Sequence, residues 1–328
     1  MSEGPLDRLA GAAVTPARAV GPAAQSPPPK TRAAALSIAS NSVLIVLKLI
    51  AGAATGSIAI ITEAVHSSID LLASVVAYFS VRKADEPADE SHPYGHEKVE
   101  NLAAAIEGML ILVGAGIIIY ESVRRLIKGS QVESLGIGIA VIAFSVVANV
   151  IVSAYIQRRA RATESPALEG DAAHLRTDAM TSAGVLVALV LVDVTGADWL
   201  DAATALAVAA AIVFAGIRIL ARTSRVLVDE ALPAEELEAV RSAIEEHATP
   251  EVVGFHKLRA RRAGSRRYVD MHVQFRDGTT LRRAHEITHE LQGAIGARLR
   301  GADILIHLEP EEFADHPAGA PDHPLRSG

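Results

Sequence analysis

Four long apolar runs, at roughly residues 33–55, 57–81, 101–127 and 135–156, and a fifth at 200–221, constrain this chain more than any other feature. Each is long enough for a helix to cross a hydrocarbon core of ~30 Å, which takes about 20 mostly apolar residues. A sixth segment is ambiguous, because only Ala183 to Val194 is cleanly apolar and that stretch is too short to span. If it spans, it must extend back through Ala172 and carry His174, Arg176 and Asp178 to membrane depth. Five spans would put the two charged ends of the chain on opposite sides of the membrane, so six are expected. Half of the residues are hydrophobic, more than a soluble chain of 328 residues needs.

Basic residues set the expected orientation. Lys30 and Arg32 precede the first run, and Arg82, Lys83 and Lys98 lie between the second and third. Arg158, Arg159 and Arg161 follow the fourth, and Arg218, Arg222 and Arg225 end the sixth. The positive-inside rule places all of these, and both termini, in the cytoplasm of a cell bounded by an inner membrane. Arg124, Arg125 and Lys128 do not fit, since they sit at the outer end of the third run. Residues 1–31, ending in Ser26-Pro27-Pro28-Pro29-Lys30, read as a disordered arm rather than a signal peptide, and 313–328 as a disordered tail. The expected division is therefore 1–31 arm, 32–224 six-helix membrane domain, 225–312 soluble domain, 313–328 tail.

Beyond Arg225 the pattern becomes that of a small soluble unit. A charged amphipathic stretch from Pro233 to Glu246 precedes strand-like runs at His256 to Arg261 and Tyr268 to Phe275. A helix from about Thr280 to Leu299 and a strand from Asp303 to Leu308 complete it. The order helix, strand, strand, helix, strand predicts a compact α+β ferredoxin-like domain.

The chemistry lies in two spaced pairs. His66 and Asp70 are four residues apart, as are His174 and Asp178. Four residues advance a helix by ~6 Å and ~400°, so each pair shares a face. One imidazole and one carboxylate from each of two helices make four N/O ligands, the tetrahedral preference of zinc. With no cysteine in the chain, disulfides and thiolate ligands are excluded, which suits borderline divalent ions and argues against copper(I). Ionisable groups at membrane depth are costly and usually functional. Arg176 lies ~200° around the helix from His174 and is expected to point away. A net charge of −7 gives no reason to expect a nucleic-acid partner.

At these residues the chain resembles a known family. Glu63-Ala64-Val65-His66-Ser67-Ser68-Ile69-Asp70 resembles the second-helix signature of the cation diffusion facilitators. Asp171-Ala172-Ala173-His174-Leu175-Arg176-Thr177-Asp178 resembles their fifth-helix signature, and His92-Pro93-Tyr94-Gly95-His96-Glu97-Lys98 is similar to their loop before helix 3. The resemblance runs from about residue 32 to 311. It implies a homodimeric, six-helix exporter in the lipid bilayer that exchanges a cytoplasmic divalent cation for protons, with no enzymatic activity. The His-Asp/His-Asp set resembles that of zinc-preferring members, so Zn²⁺ is the expected substrate and a possible regulatory ion. Iron, cobalt or cadmium, or a membrane-anchored metal sensor that does not transport, are the alternatives. The resemblance also implies a second metal site at Asp89, His92 and His96, and cytoplasmic sites near a dimer interface at His256, His272, His285, His307 and Glu309.

Strand alternation supports the last group. Val269, Met271, Val273 and Phe275 form one apolar face, and Ile304, Ile306 and Leu308 another, which leaves His272, His307 and Glu309 outside the core. His285-Glu286-Ile287-Thr288-His289 also matches the HExxH pattern of zinc proteases. Ala284, Ile287, Leu291 and Ala294 form the buried stripe of that helix. The two histidines are then solvated, and no third ligand follows at a known spacing, so a peptidase is not expected.

Overall fold

The computed structural model describes residues 30–55, 58–128, 137–197, 199–311 and 323–324. Residues 1–29 of the expected arm and most of the expected tail lie outside the described residues, while Lys30 and Thr31, expected in the arm, open the first helix. Six long helices come first: α1 (Lys30–Thr55), α2 (Ile58–Ala84), α3 (Lys98–Lys128), α4 (Ile137–Thr163), α5 (Pro166–Thr195) and α6 (Trp199–Leu227). Five of them, all but α2, have described stretches long and apolar enough to cross a membrane. α2 runs for 27 residues, or ~40 Å at 1.5 Å per residue, enough to cross as well.

The ambiguous segment is a single continuous helix, and its ends show why. Ser165 is extended at φ −88° and accepts a hydrogen bond from the Leu168 N–H, with Pro166 at the first helical position. Gly196 closes the helix in the left-handed region at φ 68°, its N–H bonded to the Val192 carbonyl. α5 thus starts well before the apolar run and carries His174 and Asp178 inside it. Likewise α4 continues to Thr163, seven residues past the end of its apolar run, so Arg158, Arg159 and Arg161 are helical.

The helices pack through small residues. Ala34, Ala73, Ala77, Ala104, Ala167 and Ala172 are essentially inaccessible. Side chains of that size let helix backbones approach closely where no hydrophobic driving force separates protein from lipid. Large apolar side chains point outward instead: Val43, Ile50, Phe79, Val113, Phe144, Ile151 and Phe214 are all exposed. An apolar belt of this extent is the lipid-facing surface of a multi-pass membrane protein. Within the bundle α2 packs on α1, α3 and α5, and α5 also packs on α3, α4 and α6.

The C-terminal domain contains α7 (Ala234–His247), β1 (Val252–Ala263), β2 (Arg266–Phe275), α8 (Leu281–Arg298), β3 (Ala302–Pro310) and the two-residue β4 (His323–Pro324). The sheet order is β3-β2-β1-β4, with β1 antiparallel to β2 and β2 parallel to β3. The β2-α8-β3 crossover forces that parallel pair. Val240, Ile244, Phe255, Met271, Val273, Ile287, Leu291, Ile295 and Ile306 form the core between the helices and one face of the sheet. Ile295 rather than Ala294 completes the buried stripe of α8. β4 pairs with β1 at Gly254 and Phe255, so the expected disordered tail holds at least one ordered contact.

Several bonds join the two domains. The backbone N–H of Gly264, in the β1–β2 turn, donates to Asn101 Oδ1 at 2.8 Å. A Cβ at Gly264 would lie 2.8 Å from the Glu97 carbonyl oxygen, and its φ of +54° is also one that L side chains avoid. Arg266 pairs with Glu97 at 2.7 Å, and the Tyr268 hydroxyl donates to the Tyr94 carbonyl at 2.7 Å. Asp229 pairs with Lys98 at 2.7 Å and with Arg261 at 2.9 Å. Buried Arg267 bridges Glu236 at 2.5 Å and Glu164, between α4 and α5, at 2.9 Å. Its guanidinium fork suits two carboxylates at once.

Candidate metal centres

Among the described residues two groups of nitrogen and oxygen donors converge, and a third set, taken first, is expected on α2 and α5. His66 and Asp70 lie one turn apart on α2, but their side chains fall outside the described residues. On α5, His174 is buried and Asp178 half-buried, and α5 packs directly on α2. Arg176 is exposed and donates to Gln157 Oε1 at 3.5 Å, turned away from its neighbours as the helical period requires. Thr177 and Thr181 return their hydroxyl hydrogens to the His174 and Asp178 carbonyls at 2.7 and 2.8 Å, so these threonines need no other acceptor.

The second group is in the α2–α3 connection, where Asp89, His92 and His96 converge with one ligand atom of each within 4.8 Å of the others. Asp89 Oδ1 accepts from the Ser91 N–H at 2.9 Å, the Ser91 hydroxyl at 2.8 Å and the His92 N–H at 2.7 Å. The bond from the Ser91 side chain, followed by that from the His92 backbone, holds this carboxyl well below the usual carboxylate range. His96 is buried, and its Nε2 lies 3.2 Å from Asp89 Oδ2 without the alignment of a hydrogen bond. Neither ring nitrogen of His96 has a hydrogen-bond partner among the described residues. A buried imidazole in that condition, beside an ionised carboxylate and a second imidazole, is a donor set that fits a divalent cation. Docking of Tyr94 and Glu97 on the C-terminal domain fixes the backbone that carries it.

The third group is on the outer face of the sheet. The strand register aligns His256 with His272 and His272 with His307, a row of three imidazoles across β1, β2 and β3. The rings of His256 and His272 are 5.2 Å apart, and those of His272 and His307 are 4.7 Å apart. Glu309 sits behind the row with Oε2 2.8 Å from His256 Nε2 and Oε1 2.5 Å from His272 Nδ1. His307 Nε2 is 3.8 Å from the same Oε1 and is the most exposed of the four. His256, His272 and Glu309 place one donor atom each within 4.8 Å of one another. A bulge between His256 and Arg259, with Lys257 in the left-handed region at φ 50°, returns β1 to register after His256.

His285 does not join this row. It lies on the exposed face of α8, and α8 packs on the opposite side of the sheet. Its Nε2 is 3.2 Å from that of His289, while Glu286 pairs with Arg283 at 3.5 Å. The sequence pattern put His285 in a group with the strand histidines, and within this protomer the sheet separates them.

Glu309 is the electrostatic centre of the third group. Burial pushes its carboxyl up, but the hydrogen bond from His272 and the charges of His272 and His256 outweigh it and hold the carboxyl below its ordinary value. A carboxyl depressed by folding stabilises the fold above its unfolded value, and that contribution is lost as pH falls through the folded value. The thermal unfolding of the C-terminal domain in the metal-free protein is therefore expected to weaken on acidification below about pH 4.5. A Glu309→Gln variant followed by calorimetry should lose that part of the slope, and an unchanged slope would assign it elsewhere.

Two buried carboxyls were not singled out by sequence. Asp171 Oδ1 accepts from Ser37 at 2.9 Å and Ser74 at 3.1 Å, and Ser74 in turn accepts from Asn41 at 2.9 Å. Glu107, on α3, is fully buried beside it. Glu107, a carboxylate well inside the 101–127 apolar run, was the available signal for one of them; Asp171, in the polar start of α5, had none.

Comparison with known proteins identifies the two domains. Residues 34–228 match the cation efflux transmembrane domain family, and residues 232–311 match the cytoplasmic domain of cation efflux proteins. An uncharacterised transporter of Synechocystis is 36% identical over 279 residues, covering 85% of this chain and 90% of that protein. The cation-efflux pump FieF of Klebsiella pneumoniae is 31% identical over 285 residues, covering 85% and 92%. Among solved structures, the zinc form of the transporter CzrB is 34% identical with a TM-score of 0.26, covering 27% of this chain and 99% of that one.

Proposed function

The chain belongs to the cation diffusion facilitator family, the cation efflux proteins, and on that premise we propose that it exports zinc from the cytoplasm in exchange for protons. It works as a homodimer in the inner membrane, with both termini and the C-terminal domain on the cytoplasmic side, and needs no enzymatic step. The transport site is His66, Asp70, His174 and Asp178. The observation that carries the reading is the continuity of α5 through His174 and Asp178, inside the bundle and against the helix that bears His66 and Asp70. Two imidazoles and two carboxylates, with no thiolate in the chain, are the ligands a four-coordinate borderline ion takes. The relatives named as cation-efflux pumps support a metal cation as substrate.

Proton exchange follows from the ligand chemistry. Zinc binds neutral imidazole and ionised carboxylate, so the loaded site carries no titratable proton. When the ion leaves, four polar groups remain in a dry cavity, and the histidines, which titrate near neutrality, take up protons. The loop and C-terminal groups hold further zinc ions that report its cytoplasmic level.

The experiment is zinc flux in proteoliposomes under an imposed proton gradient, with cadmium, iron and manganese competing in the same vesicles. Zinc movement that follows the gradient and is resisted only weakly by the other ions is the expected result. Flux of another ion in place of zinc changes the substrate. Silence for all four, with folded protein, sinks transport and leaves a metal sensor.

A further inference from the structure

Glu107 is the least explained group in the membrane domain. Its side chain is fully buried, and neither Oε1 nor Oε2 has a hydrogen-bond partner among the described residues. No lysine, arginine or histidine in that set pairs with it either. The packing leaves little room for a solvent shell on one side. A Cβ built at Gly170 would fall 1.9 Å from Glu107 Oε2 and 3.3 Å from the Ala104 Cα, so the carboxyl lies directly on the backbone of α5. Asp171, the next residue, has a second orphaned oxygen, Oδ2, while its Oδ1 is already held by Ser37 and Ser74.

Two carboxyls this close, with three unsatisfied oxygens between them, cannot both stay ionised in an apolar bundle. A buried carboxylate needs a cation, a set of donors or a proton. Of the helices packed on α3, α5 offers Asp171 and, one turn further, His174, and α2 offers the Ser74 hydroxyl, which with Ser37 and Asn41 of α1 is already bonded around Asp171. α6 carries Arg222, but that side chain is exposed and paired with Glu169 at 2.6 Å. On α3 itself, Glu100 is paired with Lys30 at 2.8 Å and accepts from Ser165. Among the described residues a proton is the remaining partner.

Position gives that proton a use. Gly170 precedes His174 by four residues and Asp178 by eight, so Glu107 lies ~6 Å along α5 from the first of these ligands and ~12 Å from the second. The displacement is toward the end of α5 where Glu164 meets Arg267 of the C-terminal domain. A group there lies between the transport site and the cytoplasmic mouth.

We propose that Glu107 is a proton-carrying residue of the exchange cycle, distinct from the metal ligands, with Asp171 as its partner. The inference rests on the proton-coupled transport stated above. As the bundle opens toward the cytoplasm, water reaches the pair and the Glu107 carboxylic acid gives its proton to that water, becoming a carboxylate. The negative charge draws the incoming divalent cation toward His174. When the site closes and turns outward, protons driven inward by the gradient return the carboxyl to its neutral form.

Two readouts test this on the full-length protein, one of them independent of flux. The infrared carbonyl band of a protonated carboxylic acid should be present in the zinc-free wild type and absent in Glu107→Gln. The variant should bind zinc with an affinity within about threefold of the wild type, because no ligand is touched. Its gradient-driven zinc uptake should fall by about tenfold or more, and fewer protons should be exchanged per zinc. An infrared band unchanged by the substitution, undiminished uptake, or loss of a bound zinc equivalent would each overturn the proposal, the last by making Glu107 a ligand. If the glutamine variant does not fold, the wild type serves instead: a carboxylic acid band that fades on zinc loading supports the proton site, and a band indifferent to zinc sinks it. No zinc uptake by the wild type would overturn the transport reading itself. A band lost in Glu107→Gln would, in that case, still locate the proton at this residue.

Discussion

Asp178→Ala should reduce gradient-driven zinc uptake by about 100-fold or more while the protein remains folded and dimeric. The carboxylate is one of two that balance the charge of the ion, and a three-ligand site in an apolar bundle leaves that charge partly uncompensated. Loss of partners outside the ligand shell already costs 10–100-fold in metal affinity or activity in other sites, and a ligand should cost more. Asp178 is half-buried on a helix closed by Ser165 and Gly196, and alanine is a better helix former than aspartate. The fold is therefore expected to survive, as circular dichroism and size-exclusion chromatography would check. Uptake within a few-fold of wild type would remove Asp178 from the transport site.

Glu309→Ala should weaken zinc binding by the C-terminal domain by about 10–100-fold, with the flux effect much smaller than for Asp178. Glu309 bonds both His256 and His272, at 2.8 and 2.5 Å, so its removal takes from the two imidazoles the acceptor they share among the described residues. Calorimetric titration of the full-length protein in an Asp178→Ala background isolates this binding from that of the transport site. His285→Ala in the same background should leave the affinity of each separate protomer unchanged, since α8 carries it on the other side of the sheet. Equal losses from the two substitutions would show that His285 reaches the row from a second copy of the chain.

Much of this molecule could be read from local pattern. Apolar run length located five spans, and the alternation through Val269 to Phe275 and Ile304 to Leu308 assigned the inner and outer faces of the sheet that the core confirms. The four-residue spacing of His174 and Asp178 was meaningful because a helix period is the same wherever the helix lies. α5 was harder, since its N-terminal half is polar. Span parity argued for it, while the residues that fix its start, Ser165 as cap and Pro166 in the first turn, carry no hydropathy.

What the sequence determined by itself is whatever repeats with the period of a helix or a strand, or depends on composition: the membrane spans, the two HxxxD pairs, the face of each strand and the absence of thiolate ligands. The tertiary structure alone decided the rest. His256, His272 and His307 become one row only through a register between strands that lie far apart in the chain, and His285 is separated from them because α8 covers the opposite face. His96 loses its solvent when the loop docks on the C-terminal domain, and Glu107 loses its own when it meets α5 at a glycine with no Cβ to hold it off. The physical reason is common to all of them. A polar group's chemistry depends on which neighbours replace its water, and those neighbours come from other parts of the chain.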